Sequence, residues 1–374
     1  MNNTIRVGNL FGIPFYIHPS WFLVLGLVTW TYGSGLSAAF PDLGNGFALL
    51  LGLMTALMLF ASVVAHELGH SFVAIRQGID VKSITLFIFG GLASLERESK
   101  TPAEAFWVAI AGPLVSLFLF GIFAGIGFGT GVSGALAGIL GVLASVNLSL
   151  FAFNLIPGLP LDGGNILKAI VWKITGNPNK GVVFASRVGQ AFGWIAIASG
   201  LIPLFLVGSF GNFWNLLIGF FLLQNAGNAA QVARVQEQLT GLTASDAVSN
   251  DSPIVSADLT LREFADEQII SGQNWQRFLV TNNDGQLVGA ISFDNMRSIP
   301  TQLWTETQIK DVMQPIAEST TVQADKPLLE VVQLIEQQKL SALTVIRENG
   351  VLVGILEKPA IRLLLERRMQ ANPA

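Results

Sequence analysis

Three long stretches of this chain, residues 43–66, 105–161 and 188–233, contain no Asp, Glu, Lys or Arg. So much uncharged sequence needs either a very large apolar core or a bilayer to receive it. The 374 residues are 51% hydrophobic and only 12% charged, with a mean hydropathy of +0.56, and the bilayer is the reading that fits. A helix needs about 20 apolar residues to cross the hydrocarbon core. Six spans are therefore expected, at 20–38, 47–75, 103–128, 134–155, 187–208 and 213–233.

An even number of spans leaves both termini on one side. Arg76, Lys82, Arg97, Lys100, Lys168, Lys173 and Lys180 fall on that side, and Arg234 follows the last span. The opposite loops, at 41–42, 130–133 and 209–212, are almost free of basic residues. The positive-inside tendency then puts both termini in the cytoplasm, with the cell (plasma) membrane as the expected host. The first residues lack the basic stretch, short apolar core and cleavage site of a signal peptide. The chain has no cysteine, which excludes disulfide and thiolate chemistry. Its net charge is −4 and no basic stripe appears, so nucleic acid is not an expected partner.

Two of the three histidines stand in the second span, in His66-Glu67-Leu68-Gly69-His70. Positions i and i+4 share one helix face, so both imidazoles can reach a single metal ion. Glu67 lies about 100° around the helix, next to where a water on that metal would sit. A glutamate without a function is costly in such surroundings. Catalytic zinc usually takes three protein ligands. Among the spans and their edges the conspicuous acid is Asp162, in Asn154-Leu155-Ile156-Pro157-Gly158-Leu159-Pro160-Leu161-Asp162-Gly163-Gly164. The prolines and glycines there break the fourth span into irregular backbone, which is tolerated at membrane depth only where it is buried in protein or lines a wet cavity. Asp162 is also placed to cap the helix that follows, and the two roles are compatible. His18, beside Pro19, Ser20 and Trp21, is expected to be an interfacial anchor rather than a ligand.

Beyond residue 242 the sequence is polar, charged at ordinary density and repetitive. Thr243-Ala244-Ser245-Asp246-Ala247-Val248 and Gln308-Ile309-Lys310-Asp311-Val312-Met313 each open a unit. In each, a helical stretch and two β-branched runs follow, the runs joined by Asn283-Asp284-Gly285 or Glu348-Asn349-Gly350. Such turns between β-branched runs signal hairpins. The domain division expected is 1–236, 242–300 and 305–368. The two repeats resemble a pair of CBS domains, which implies an α/β module with clefts for adenine nucleotides. Nucleotide-binding members often place Thr or Ser, then Asp three positions on, after the second hairpin strand. Ser292 fits that pattern, but Asn295 stands where the acid is expected, and Glu357-Lys358-Pro359-Ala360 keeps neither residue. Two roles stay open: a nucleotide pocket that uses Ser292, or a structural pair that dimerises the chain into a homodimer or docks substrates.

His-Glu-x-x-His on one span with Asn-x-x-Pro-x-x-Pro-Leu-Asp-Gly-Gly on a later one is similar to the site-2 protease family of intramembrane metalloproteases, in particular its prokaryotic members with C-terminal CBS domains. The segment Gly12-Ile13-Pro14-Phe15-Tyr16-Ile17-His18-Pro19-Ser20-Trp21 looks like that family's entry into its first span. The resemblance implies a zinc endopeptidase with one Zn2+ per chain. It implies that His66, His70 and Asp162 bind the metal, that Glu67 is the general base and acid, and that Asn154 helps hold the substrate backbone or the transition state; within a span, Asn154 could instead bond a neighbouring helix. The implied substrate is a single-span membrane protein, such as an anti-sigma factor or a membrane-tethered regulator. Residues 82–95 alternate β-branched and large apolar side chains around Gly90-Gly91, and are expected to form a membrane-associated β-hairpin whose edge pairs with unwound substrate. The expected fold class is thus a multi-pass α-helical membrane protein with that hairpin and a C-terminal α/β pair. A channel with a regulatory CBS pair would share this outline, but would line a path with polar residues on several spans.

Overall fold

The computed structural model describes residues 4–88, 90–208, 212–249, 251–271, 275, 277–316 and 320–371. Phe89 at the tip of the expected hairpin, and 209–211 of the expected outer loop, lie outside them. The chain divides into two compact units, Met1–Arg234 and Val235–Ala374.

The first unit opens with strands β1 (Ile5–Leu10) and β2 (Ile13–Ile17), and then helices α1 (Ser20–Ala39) and α2 (Gly44–Arg76). Strands β3 (Val81–Phe87) and β4 (Gly90–Leu95) follow, then α3 (Pro102–Gly129), α4 (Gly134–Asn154), α5 (Asp162–Thr175), α6 (Pro178–Val207) and α7 (Phe213–Leu239). Six of these helices, α1, α2, α3, α4, α6 and α7, are long and apolar enough to cross a membrane.

Two expectations need revision. The fifth spanning helix starts at Pro178, not at 187. Asn177 caps it, its Oδ1 accepting from the N–H groups of Asn179 (2.8 Å) and Lys180 (3.3 Å), with Pro178 in the first turn where its missing N–H costs nothing. Lys180 and Arg187 inside that first stretch obscured the start. The hairpin, in turn, is not isolated. It is half of a four-stranded sheet ordered β1-β2-β3-β4, in which β2 and β3 run parallel and the other pairs antiparallel. The β1–β2 turn is made by Phe11 and Gly12, both with positive φ (51° and 83°), as a tight hairpin requires. At the sheet's inner face Ile17, Trp21 and Leu86 are buried together against Phe60, Val63 and Val64 of α2.

α4 ends at Asn154 and α5 begins at Asp162, so the proline- and glycine-rich segment between them is the irregular backbone that was expected. It is held against α6 by Leu159 N–H donating to the Ala185 carbonyl (3.2 Å).

The second unit holds two similar layers. Strands β5 (Ile254–Ser256), β6 (Arg277–Thr281) and β7 (Leu287–Ser292) form one sheet, with α8 (Leu261–Ser271) and α9 (Phe293–Arg297). After α10 (Ile309–Val312), strands β8 (Thr321–Gln323), β9 (Ala342–Ile346) and β10 (Leu352–Glu357) form the other, with α11 (Leu328–Gln337) and α12 (Lys358–Ala371). Gly285 and Gly350, with φ of +74° and +79°, sit in the two expected hairpin turns.

The packing repeat and the sequence repeat are out of step. Leu242, Ala244 and Ala247, which open the first repeat, are buried with Val322, Leu328 and Val345 of the second. Ile309, which opens the second, is buried with Val255, Leu261 and Phe278 of the first. Backbone bonds fix both exchanges: Leu328 N–H to the Leu242 carbonyl (2.8 Å), and Ile309 N–H to the Leu259 carbonyl (2.9 Å). Neither layer has a complete core without the other's opening segment.

Candidate metal centre

α2 and α3 run alongside each other in the first unit, and each presents a stripe with a spacing of four residues. On α2 the stripe is His66 and His70; on α3 it is Val108, Gly112 and Ser116. Ser116 Oγ lies 2.9 Å from His66 Nδ1. His70 Nδ1–H donates to the Val108 carbonyl (2.6 Å). Holding both rings by Nδ1 leaves both Nε2 atoms free to converge, and they lie 3.2 Å apart. Gly112 stands between, where an added Cβ would collide with Nε2 of both rings. A close approach of the α3 backbone is therefore part of the site.

Asp162 completes the group from α5. Its Oδ2 lies 3.1 Å from His66 Nε2 and 3.3 Å from His70 Nε2. The carboxylate makes no hydrogen bond that caps its own helix. Three lone-pair-bearing atoms thus form a nearly equilateral triangle of 3.1–3.3 Å edges, in side chains that are 4–16% exposed. A tetrahedral zinc with bonds of about 2.0–2.1 Å separates its ligand atoms by about 3.3 Å, so the three residues fit that ion. They are also a group able to hold a metal among the described residues.

Glu67 and Asn154 line the same cavity of about 650 Å³ as His66, His70 and Asp162. Glu67 accepts from the backbone N–H of Ala93 in β4. Gly91 packs on its side chain so closely that a Cβ there would meet the Glu67 carboxyl group. Ala93 N–H therefore points away from β3, and the outer edge of β4 faces Glu67. The cavity reaches the surface beside Glu98, which pairs with Lys168 at 3.0 Å and is 79% exposed.

The sequence points to five of these residues, His66, Glu67, His70, Asp162 and Asn154, but not to Gly112, Ser116, Gly91 and Ala93. Gly112 and Ser116 share a four-residue spacing on α3, which points to them only once α3 is known to pass α2 there; Ala93 acts through its backbone, which leaves no trace in side-chain chemistry. Ser292 lies in the second unit, where it and Asn295 form a reciprocal cap at the start of α9. His18 is not part of the metal cluster; its ring bonds Ser20.

The sequence pattern of peptidase family M50 matches residues 54–133 and 130–196, and that of the CBS domain matches 309–365. A Synechocystis sp. protein named as a zinc metalloprotease is 56% identical over 366 residues, covering 96% of this chain and 95% of the relative. The chain belongs to peptidase family M50, the site-2 proteases. It is a zinc metallopeptidase with a CBS domain. A zinc metalloprotease of Methanocaldococcus jannaschii is 30% identical over 336 residues, covering 86% of this chain and 91% of the relative. The solved site-2 protease from the same organism is 29% identical, with a TM-score of 0.43, and the match covers 61% of this chain and 95% of that one.

Proposed function

We propose that this M50 peptidase cleaves a peptide bond within or beside the transmembrane segment of a single-span membrane protein, as a step in regulated intramembrane proteolysis. The observation that supports it most is the triangle of His66, His70 and Asp162 beside Glu67, on helices fit to span a bilayer and in one cavity with Asn154. His66, His70 and Asp162 would hold the zinc, which when bound supplies Lewis acidity toward a carbonyl oxygen and toward water. Glu67 takes a proton from the attacking water and returns it to the departing amine. Asn154, at the end of α4, donates its amide to the substrate backbone. A helix hides its carbonyls in its own hydrogen bonds, so the substrate must be extended at the cleavage point. Among the described residues β4 is paired only with β3, and its other edge faces Glu67, so an unwound substrate added as the next strand would pass the base.

In the same reading residues 1–236 are the peptidase domain and 242–300 and 305–368 the CBS domains, with both termini in the cytoplasm of the cell membrane. The CBS pair regulates cleavage, with an adenine nucleotide at Ser292 as candidate ligand and a homodimer as candidate assembly.

The decisive experiment compares wild type with Glu67→Gln, purified and reconstituted in lipid, against a panel of single-span proteins. The variant should keep one zinc per chain and lose cleavage by about 10²–10⁴-fold. Equal turnover would remove Glu67 as the base.

A further inference from the structure

We propose that His18 and Ser20 form a positioning latch that fixes the tip of the β3–β4 hairpin, and with it the strand offered to substrate. The functional part of this inference rests on the strand-docking reading above; the latch itself rests on geometry alone. β2 and β3 run parallel through the pairs Phe15–Ile84, Tyr16–Thr85 and Ile17–Leu86. The last rung of their ladder is His18 N–H to the Leu86 carbonyl, at 2.8 Å. Beyond it the two chains part, one into α1 and the other into the hairpin tip. The next amide of β3's chain, at Ile88, would lose its partner there, and an unpaired backbone donor in partly buried surroundings is costly. Ser20 Oγ supplies the missing acceptor, 3.2 Å from Ile88 N.

One tautomer of His18 satisfies all three contacts. Ile88 N–H donates to Ser20 Oγ, so the serine proton is available to donate onward, and His18 Nδ1 lies 2.8 Å away. Ser20 N–H also donates to Nδ1, at 3.2 Å. The ring nitrogen therefore accepts twice, which puts the imidazole proton on Nε2. The carbonyl of His18 accepts from Trp21 N–H (2.9 Å), so this residue ties the sheet's end, the helix's start and the hairpin's tip. Ser20 is the first residue of α1, yet its hydroxyl makes no cap to its own helix; it serves a residue 68 positions away. Two residues past Ile88, Gly90 opens β4, whose Gly91 and Ala93 meet Glu67. A hairpin with an untied tip would shift that edge relative to the base.

The test uses the full chain in lipid with Ser20→Ala, His18→Leu and His18→Asn, following zinc content, hydrogen exchange at the Ile88 amide, and KM and kcat on a single-span protein that wild type cleaves. Zinc content should be unchanged in all three. Ser20→Ala and His18→Leu should speed exchange at Ile88 about fivefold, the worth of one ordinary hydrogen bond. Each should also raise KM several-fold while kcat stays within about twofold. His18→Asn should restore both, because its side-chain oxygen reaches the N–H two residues on, as in an Asx-turn. Unchanged exchange in Ser20→Ala, or His18→Asn behaving like His18→Leu, would overturn the latch. Faster exchange with unchanged KM would uphold the latch and reject β4 as the docking strand.

Discussion

Among the described residues the second unit carries four ion pairs, Arg262–Asp266, Arg297–Asp294, Lys310–Asp258 and Lys358–Glu336, and every partner is between 48% and 84% exposed. The first unit's key charged group is of the opposite kind, with Asp162 at 16% and His66 at 4%. Around it polar groups lie in a chain of dependence: the Ser116 hydroxyl orients His66, the Val108 backbone carbonyl orients His70, and both rings meet Asp162. In water each partner of an ion pair can be rehydrated when the other is removed, so surface pairs contribute little. Where the partners are packed inside the protein such a substitute is scarce, and loss of one group strands the next. Substitutions of similar chemistry should therefore differ in effect by orders of magnitude between the units.

The largest effect is expected at Gly112. An alanine methyl there would occupy the space of two imidazole nitrogens, and the α3 backbone that bears it cannot rotate away. Gly112→Ala should lose its zinc and fall in cleavage by at least about a hundredfold, since displacements near 1 Å are enough for that. Metal analysis of the purified variant checks it, and one zinc per chain with normal cleavage would contradict the geometry. Ser116→Ala should be milder. The ring of His66 remains but loses the group that orients it, which should weaken zinc binding by about 10–100-fold in a chelator competition. Ser116→Thr, which keeps the hydroxyl, should recover part of the loss.

The same contrast explains what could be read in advance. Charge-free stretches, a four-residue histidine spacing and a Pro/Gly-rich break are one-dimensional signals, and they marked the six helices, His66, Glu67, His70 and Asp162. The supporting shell is not one-dimensional. Gly112 and Ser116 matter because α3 passes α2 at one height, which no spacing within either helix reveals by itself. Strands β1 and β2 were missed because the 5–17 segment is short and its pairing partner lies some 70 residues on; nothing local announces that β3 will run beside it. In the second unit the repeat was plain, but the exchange of opening segments was not. Each opener is compatible with either sheet by sequence, and only the burial of Leu242 and Ile309 shows which core each completes.

Asn147 tests whether burial alone makes a polar group critical. It is fully buried on α4, two turns before Asn154, and donates to Ser62 Oγ (3.1 Å) and to the Leu143 carbonyl (2.8 Å). Nothing in the metal group depends on it. Ser62 also keeps another partner, because its hydroxyl donates to the Met58 carbonyl at 3.1 Å. Removing Asn147 thus strands no one, and its own Oδ1 has no partner to lose. Asn147→Leu should cost less than about 1 kcal/mol, in the range found for hydrogen bonds between membrane helices, and should leave zinc content and cleavage unchanged. Thermal unfolding in detergent, alongside the cleavage assay, measures both. A loss of activity comparable to that of Ser116→Ala would mean that the dependence chain extends to α4.

The smallest effect is expected at Arg262. Its Nε meets Asp266 Oδ2 at 3.1 Å, one helical turn along α8, with side chains 63% and 50% exposed. The order is the unfavourable one. A cation in the first turn and an anion after it oppose the helix dipole, so the pair's attraction is offset by the placement of its charges. Glu263, next to it in that first turn, has the favourable sign, and its carboxylate accepts from both the N–H and the hydroxyl of Thr260. Those two bonds hold the Glu263 carboxyl below its ordinary pKa. Arg262→Ala should therefore change the stability of α8 by no more than about 0.5 kcal/mol, and the double exchange Arg262→Asp with Asp266→Arg should stabilise it slightly. Amide exchange along α8 in the full chain reads both, and the gain from the double exchange should fade in high salt, where surface charges are screened. If Arg262→Ala instead loosened α8 by as much as Ser116→Ala weakens the metal centre, exposure would not be what separates the two units.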